Sequence, residues 1–277
     1  MKTSKKLRKR LKANYGPWAL VTGASSGIGQ ELATRLAEAG LSLILTGRRG
    51  PYLETLGETL ESKYRIRTKT IIADLSYSEE VYSLVEAIGD VEVGLFVASA
   101  GFGTSGSFVD AELDTELRML RVNSFALLML THYYARKFSE RKRGGIILMS
   151  SLVGFQGVPH AAHYAATKAY VQSLGEALYH ELRPYGVDVL SAAPGPVNSG
   201  FSRIAQMQMG NALRPDEIGV PILKALGRTA TVFPGGLSKI LMLGLRTMPR
   251  WGKIRIMQMV MAGMTKHQKC STQQRRY

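Results

Sequence analysis

With one cysteine in 277 residues, the chain cannot form an internal disulfide, and Cys270 stands in a polar terminal stretch with nothing beside it that suggests a nucleophile or a metal ligand. No apolar run reaches the roughly 18 residues of a membrane span, and the charged first residues lack the apolar stretch of a secretory leader. The expectation is a soluble, cytoplasmic body whose redox chemistry comes from a bound cofactor. Acids are missing from both ends: residues 1–12 hold seven Lys/Arg and no Asp or Glu, and residues 218–277 hold eleven and again none. Between them all 21 acids face 18 bases, so the formal charge of +15 belongs to the termini. That distribution argues against a specific nucleic-acid fold. It suits peripheral contact of a basic head and tail with an anionic membrane surface, or simply solvated ends. His160 and His163 stand three apart with no cysteine or carboxylate nearby in sequence, so no metal site is expected.

What is present is an alternation of short apolar runs and helix-period segments from residue 17 to about 234, the pattern of an α/β, doubly wound, mostly parallel sheet of about seven strands with helices on both faces. Strands are expected at Trp18–Thr22, Leu41–Thr46, Thr70–Ala73, Val93–Ala98, Ile146–Ser150, Val187–Ala192 and Thr229–Phe233. Helices are expected at Gly27–Ala39, Ser78–Ile88, Leu113–Phe138 and Ala162–Arg183. The reading divides the chain into a basic N-terminal extension (1–16), a single catalytic domain (17–236) and a basic amphipathic C-terminal extension (237–277).

The first strand runs into Thr22-Gly23-Ala24-Ser25-Ser26-Gly27-Ile28-Gly29, and a helix follows. In that strand-turn-helix setting Gly23 suits a tight turn, Gly27 close approach of backbone to a pyrophosphate and Gly29 tight helix-sheet packing, while the free amides of the helix start attract an anion. A dinucleotide site follows. Gly47, 20 residues beyond Gly27, closes the second strand where an NAD-selective site would offer a carboxylate to the ribose 2′-hydroxyl. Arg48 and Arg49 follow instead, and guanidinium forks match a 2′-phosphate, which favours NADP(H) over NAD(H). Asp74 either accepts from an adenine amino group or caps the helix after it.

Tyr164 and Lys168 lie at i and i+4 on one predicted helix face. A phenol is a poor proton shuttle at neutral pH, and an ammonium nearby lowers its pKa, so that it can protonate the alkoxide formed when hydride reaches a carbonyl. Ser151 closes a strand 13 residues earlier, at the carboxyl rim where ligands bind such sheets, and can hold the substrate oxygen. Asn123 is an unusual polar residue in an apolar helix, read either as a brace behind Lys168 or as a satisfied core residue.

Taken together, Thr22-Gly-x-x-x-Gly-x-Gly29, Ser99-Ala100-Gly101, Asn123, Ser151, Tyr164, Lys168 and Pro194-Gly195 resemble the classical short-chain dehydrogenase/reductase family over roughly residues 17–200. The resemblance implies a Rossmann fold, Asn123, Ser151, Tyr164 and Lys168 as a catalytic tetrad, Pro194, Gly195 and Val197 at the nicotinamide, and homo-oligomers formed through the helices at 113–138 and around Tyr164. One departure is Ser99, where the family usually has an asparagine that braces sheet and cofactor loop. It bears on loop rigidity, not on the chemistry.

Phe102, Phe108, Leu152, Val153, Phe155, Val158, Phe201, Met207 and Met209 fall on loops expected near the pocket and favour a hydrophobic carbonyl or alcohol substrate. Residues 237–264 mix Leu, Ile, Met and Trp251 with Lys239, Arg246, Arg250, Lys253 and Arg255, a pattern that fits packing against the domain itself or a second subunit, or lying in a membrane interface. A non-catalytic NADP-binding regulator and a basic membrane-associated adaptor are the rival readings; the first would be expected to carry a damaged tetrad.

Overall fold

The computed structural model describes residues 3–208, 210, 212–236, 238, 239, 242, 244, 247–266 and 268; Met209, Leu237, Arg246 and Cys270 lie outside them. The elements run α1 (Lys5–Tyr15), β1 (Trp18–Thr22), α2 (Gly27–Glu38), β2 (Ser42–Gly47), α3 (Gly50–Tyr64), β3 (Thr68–Ile72), α4 (Ser78–Ile88), β4 (Val93–Ala98), α5 (Leu113–Leu120), α6 (Leu127–Arg141), β5 (Gly144–Met149), α7 (Ala162–Leu182), β6 (Val187–Ala192), α8 (Phe201–Ile204), α9 (Pro215–Ala225), β7 (Thr231–Val232) and α10 (Arg250–Met264).

The seven strands form one parallel sheet in the order β3-β2-β1-β4-β5-β6-β7. β1 therefore lies between β2 and β4, with Thr22 opposite Thr46 on one side and Ala98 on the other. Period-two alternation divides the core. Ala19, Val21, Leu43, Leu45, Leu95 and Val97 face a layer built by α1, α2, α3 and α9, while Leu20, Ile44, Phe96 and Ile146 face α4, α6 and α7. The doubly wound Rossmann architecture expected from the sequence is the one observed.

Three local expectations change. The basic head is no loose tail. Leu7, Leu11 and Tyr15, four apart on α1, are buried in the first layer, and the Tyr15 hydroxyl donates to Asp188 Oδ2 at 2.6 Å. Arg10 on the same helix donates to the last carbonyls of α9, Leu223 O at 2.7 Å and Leu226 O at 3.0 Å, and Arg143 in turn donates to Ala13 O and Asn14 O at the end of α1. The helix expected at 113–138 is interrupted by a π-helical turn, Arg121–Ala126, between α5 and α6. The strand expected at Thr229–Phe233 is only two residues long. α3 and α9 are not among the expected helices; Pro51 and Pro215 occupy their first turns, where a missing N–H costs nothing.

Candidate active site

The loops after β1, β2, β4, β5 and β6 meet at the carboxyl rim of the sheet, beside the point where strand order reverses between β1 and β4. In the first loop Gly23 and Gly27 take φ of 66° and 59°. A Cβ on Gly23 would lie 2.8 Å from Ala100 Cα, so only glycine lets the two loops touch. Ser26 caps α2 without a side-chain hydrogen bond, which leaves the amides of the first turn, from Gly27 through Gly29, open to an anion, while Ile28 packs down onto the core.

Of the two arginines after β2, Arg49 reaches this loop and Arg48 turns toward the loop after β3. Arg49 donates from Nη2 to Ser25 Oγ at 3.0 Å and to Ser25 O at 3.1 Å; Arg48 Nη1 stands 3.8 Å from Asp74 Oδ2, which Arg118 also approaches at 3.8 Å. Asp74 does not cap α4. Its Oδ1 accepts from Ser76 N and Oγ in a local turn, and the residue before α4 is Tyr77. The loop Ser99-Ala100-Gly101 is braced from below by Thr22, whose Oγ1 accepts from Ser99 N at 3.1 Å and Ala100 N at 3.0 Å. Thr22 thus anchors the loop in which Ser99 departs from the family pattern.

Asn123, on the π-helical turn, is 1% exposed and clamps that loop: its Nδ2 donates to Phe102 O at 2.8 Å and Thr167 Oγ1 at 3.1 Å, and its Oδ1 accepts from Phe102 N at 3.1 Å. A π turn shifts the register of the side chains that follow it, which is how a buried amide comes to face β4 and α7 together. Tyr164 and Lys168 lie one turn apart on α7, both buried. Lys168 Nζ donates to Met149 O at 2.8 Å and sits 5.9 Å from the Tyr164 ring centre. Burial pulls the Lys168 ammonium down to about 8. Burial also pushes the Tyr164 phenol up, opposed by a hydrogen bond with Ser151. The lowering expected from the lysine is not seen: burial dominates, and Ser151 is what opposes it. Ser151 Oγ lies 3.5 Å from Pro194 O, Gly195 N donates to the buried Ser238 Oγ at 3.2 Å, and Val197 is bridged to Leu213. Asn123, Ser151, Tyr164 and Lys168 thus converge with the Gly101 and Pro194-Gly195 backbones.

The surrounding wall is apolar. Tyr164, Val158 and Met207 form one buried cluster with Met119 and Met261, against which Phe102, Val153, Phe201, Met257 and Met264 pack; the Phe201 ring lies 5.3 Å from that of Tyr164. Leu152 is half-buried next to Gly195. Phe155 pairs with Phe233 instead, and Phe108, 67% exposed, lines a separate cleft of about 450 Å³ with Leu113, Leu117, Leu120 and His163. The expectation that α10 packs on its own domain holds for its Met257, Met261 and Met264 face. His163 Nδ1 meets Glu116 Oε2 at 2.7 Å, a partner 47 residues away, and His160 takes a left-handed φ of 64°. Among the described residues no group of three His, Cys, Asp or Glu could hold a metal ion, and no helix is long and apolar enough to cross a membrane.

Residues 17–209 match the short chain dehydrogenase family. This chain belongs to that family. It is 37% identical over 227 residues to a very-long-chain 3-oxoacyl-CoA reductase of Meyerozyma guilliermondii, covering 78% of this chain and 66% of that protein. The chain thus spans just under two thirds of the length of that relative. It is 30% identical to a 7beta-hydroxysteroid dehydrogenase of Clostridium sardiniense over 81% of this chain and 88% of the other. A solved 7beta-hydroxysteroid dehydrogenase superimposes with a TM-score of 0.82 at 28% identity, covering 89% of this chain and 98% of the other. A short-chain dehydrogenase from Sphingobium yanoikuyae in complex with NADPH gives 0.75 at 27% identity over 83% and 94%. The relatives are oxidoreductases, and the fold of this chain is that of a nucleotide-binding dehydrogenase.

Proposed function

We propose that the protein is an NADP(H)-dependent oxidoreductase that interconverts a bulky hydrophobic ketone and its alcohol, with Tyr164 as the catalytic acid and base. The observation that carries this reading is the buried Tyr164 with half-buried Ser151 beside it and buried Lys168 one turn on, set under a wall of Phe and Met beside an open helix start. The residues fit the cofactor: bare α2 amides for a pyrophosphate, and Arg48 and Arg49 on the flank where a 2′-phosphate would sit. A reduced nicotinamide supplies the hydride. As the carbonyl oxygen takes on charge, Tyr164 gives it the phenolic proton and Ser151 donates a hydrogen bond to it. Lys168 holds a positive charge behind the phenol, and Asn123 keeps the Gly101–Phe102 loop and α7 in register. Two relatives named for a long acyl chain and a steroid support a large apolar substrate.

Exposed Leu113, Leu117, Leu120, Phe125 and Leu128 along α5, the π turn and α6 support a homo-oligomer through that face, and the basic C-terminal segment supports peripheral attachment to an anionic membrane surface. The test is carbonyl-dependent oxidation of NADPH, compared with NADH, against apolar ketones and aldehydes. Tyr164→Phe should lower turnover by about 10²–10⁴-fold while NADPH binding persists. Turnover that survives in the variant would sink the assignment of the acid; NADPH binding without turnover of any carbonyl would favour the regulator.

A further inference from the structure

α10 has two working faces. Met257, Met261 and Met264 lie inward on the Tyr164 cluster, and Ile254 lies against Gly157 in the loop after β5. At about 100° per residue the opposite side carries Met259, about 200° from Met261. Trp251, Arg255 and Met259 follow at i, i+4 and i+8, and Lys266 extends the same stripe just past the helix end. All four are exposed, Trp251 at 72% and Met259 at 65%. An indole and a long thioether set outward in solution leave apolar surface wet, and here they alternate with cations in a stretch that has no Asp or Glu after Glu217.

We propose that this outward stripe of α10 docks on an anionic bilayer, with Trp251 and Met259 at the headgroup boundary and Arg255 and Lys266 on lipid phosphates. The Tyr164 cluster under the inner face then lies beside the membrane, within reach of a substrate dissolved in it. The inference rests on the apolar-substrate reading above for its purpose, though not for its geometry. Charge complementarity selects the occupant. A basic stripe suits phosphate and carboxylate headgroups, whereas a second copy of this chain would set the same cations against each other. α1 does not compete as the anchor: its apolar stripe is buried in the core and its Arg10 is held by α9.

The experiment is sedimentation of the full chain with vesicles of phosphatidylcholine alone or with about 30% phosphatidylserine at low salt, read together with tryptophan emission. Wild type should sediment only with the anionic vesicles and its emission should shift to the blue, a shift absent in Trp251→Phe. The double variant Arg255→Glu, Lys266→Glu should bind at least about tenfold more weakly and still reduce a water-soluble ketone at the wild-type rate. No sedimentation at low salt, or equal sedimentation of the double variant, overturns the proposal. So does a blue shift that grows with protein concentration without lipid, which would assign the stripe to a second copy. Vesicle binding needs no turnover, so binding without carbonyl reduction would sink the oxidoreductase reading and leave the docking surface standing.

Discussion

Two basic helices lie at opposite ends of the sheet, and they do different work. α1 closes the amino-terminal rim, where a Cβ on Gly145 would touch the Tyr15 ring at 2.9 Å; α10 lies over the carboxyl rim against the Tyr164 cluster. In α1 the apolar residues Leu7, Leu11 and Tyr15 are 0–6% exposed and Arg10 is tied to α9. In α10 only Met261 is fully buried, while Trp251 and Met259 face outward. Charge alone cannot tell the two apart. What distinguishes them is which side of the helix the large apolar groups take, a single stripe that the core consumes in α1 and two stripes, one left over, in α10.

If the floor is structure and the roof is function, the largest effect comes from the floor. Leu11→Ala removes a side chain with no exposure and should cost about 2–5 kcal/mol of stability, read as a lower urea midpoint, with turnover per folded molecule unchanged. A fall in turnover at unchanged stability would erase the division.

Next is Lys168→Met at the roof end. It should lower kcat/KM for ketone reduction about a hundredfold. Burial depresses Lys168 to about 8 from an ordinary 10.5, so wild-type kcat/KM should decline as pH rises through about 8 and the phenol loses the charge behind it. The variant should lack that limb. Stability moves the other way: between about 8 and 10.5 the unfolded chain binds the proton that the folded one has released, so wild-type stability rises with pH across that window, and below it the folded state carries the full burial penalty. A pH profile identical in both proteins would remove Lys168 from the reaction.

The parts of this molecule that were legible in the sequence are those encoded locally. Gly23, Gly27 and Gly29 answer to backbone conformation within one turn, Tyr164 and Lys168 to the helical repeat, and Ser151 to the end of a strand; the alternating apolar runs gave the sheet. Asn123 was visible as an oddity but its π turn was not, because one extra residue in a helix barely disturbs a 3.6-residue pattern. Thr22 as the brace of the Ser99 loop, Arg10 as the cap of α9 and Glu116 as the partner of His163 are pairings between residues 47 to 216 apart, on which no local pattern reports. The methionine roof was hidden likewise. The C-terminal segment read as amphipathic, yet nothing in it named Tyr164 as its neighbour.

The smallest effect tests that roof most finely. Met261 is 2% exposed and lies in the same cluster as Tyr164, Met119 and Met207. Met261→Leu conserves volume, so it should cost under about 1.5 kcal/mol and move Tm by only a few degrees. It replaces an unbranched thioether that repacks easily with a branched side chain that does not. If α10 walls the substrate, KM for a bulky ketone should rise a few-fold while a small ketone such as cyclohexanone keeps its KM, and kcat should hold for both. Equal changes for large and small ketones would mean that Met261 supports Tyr164 from behind, and α10 would then belong with α1, as packing.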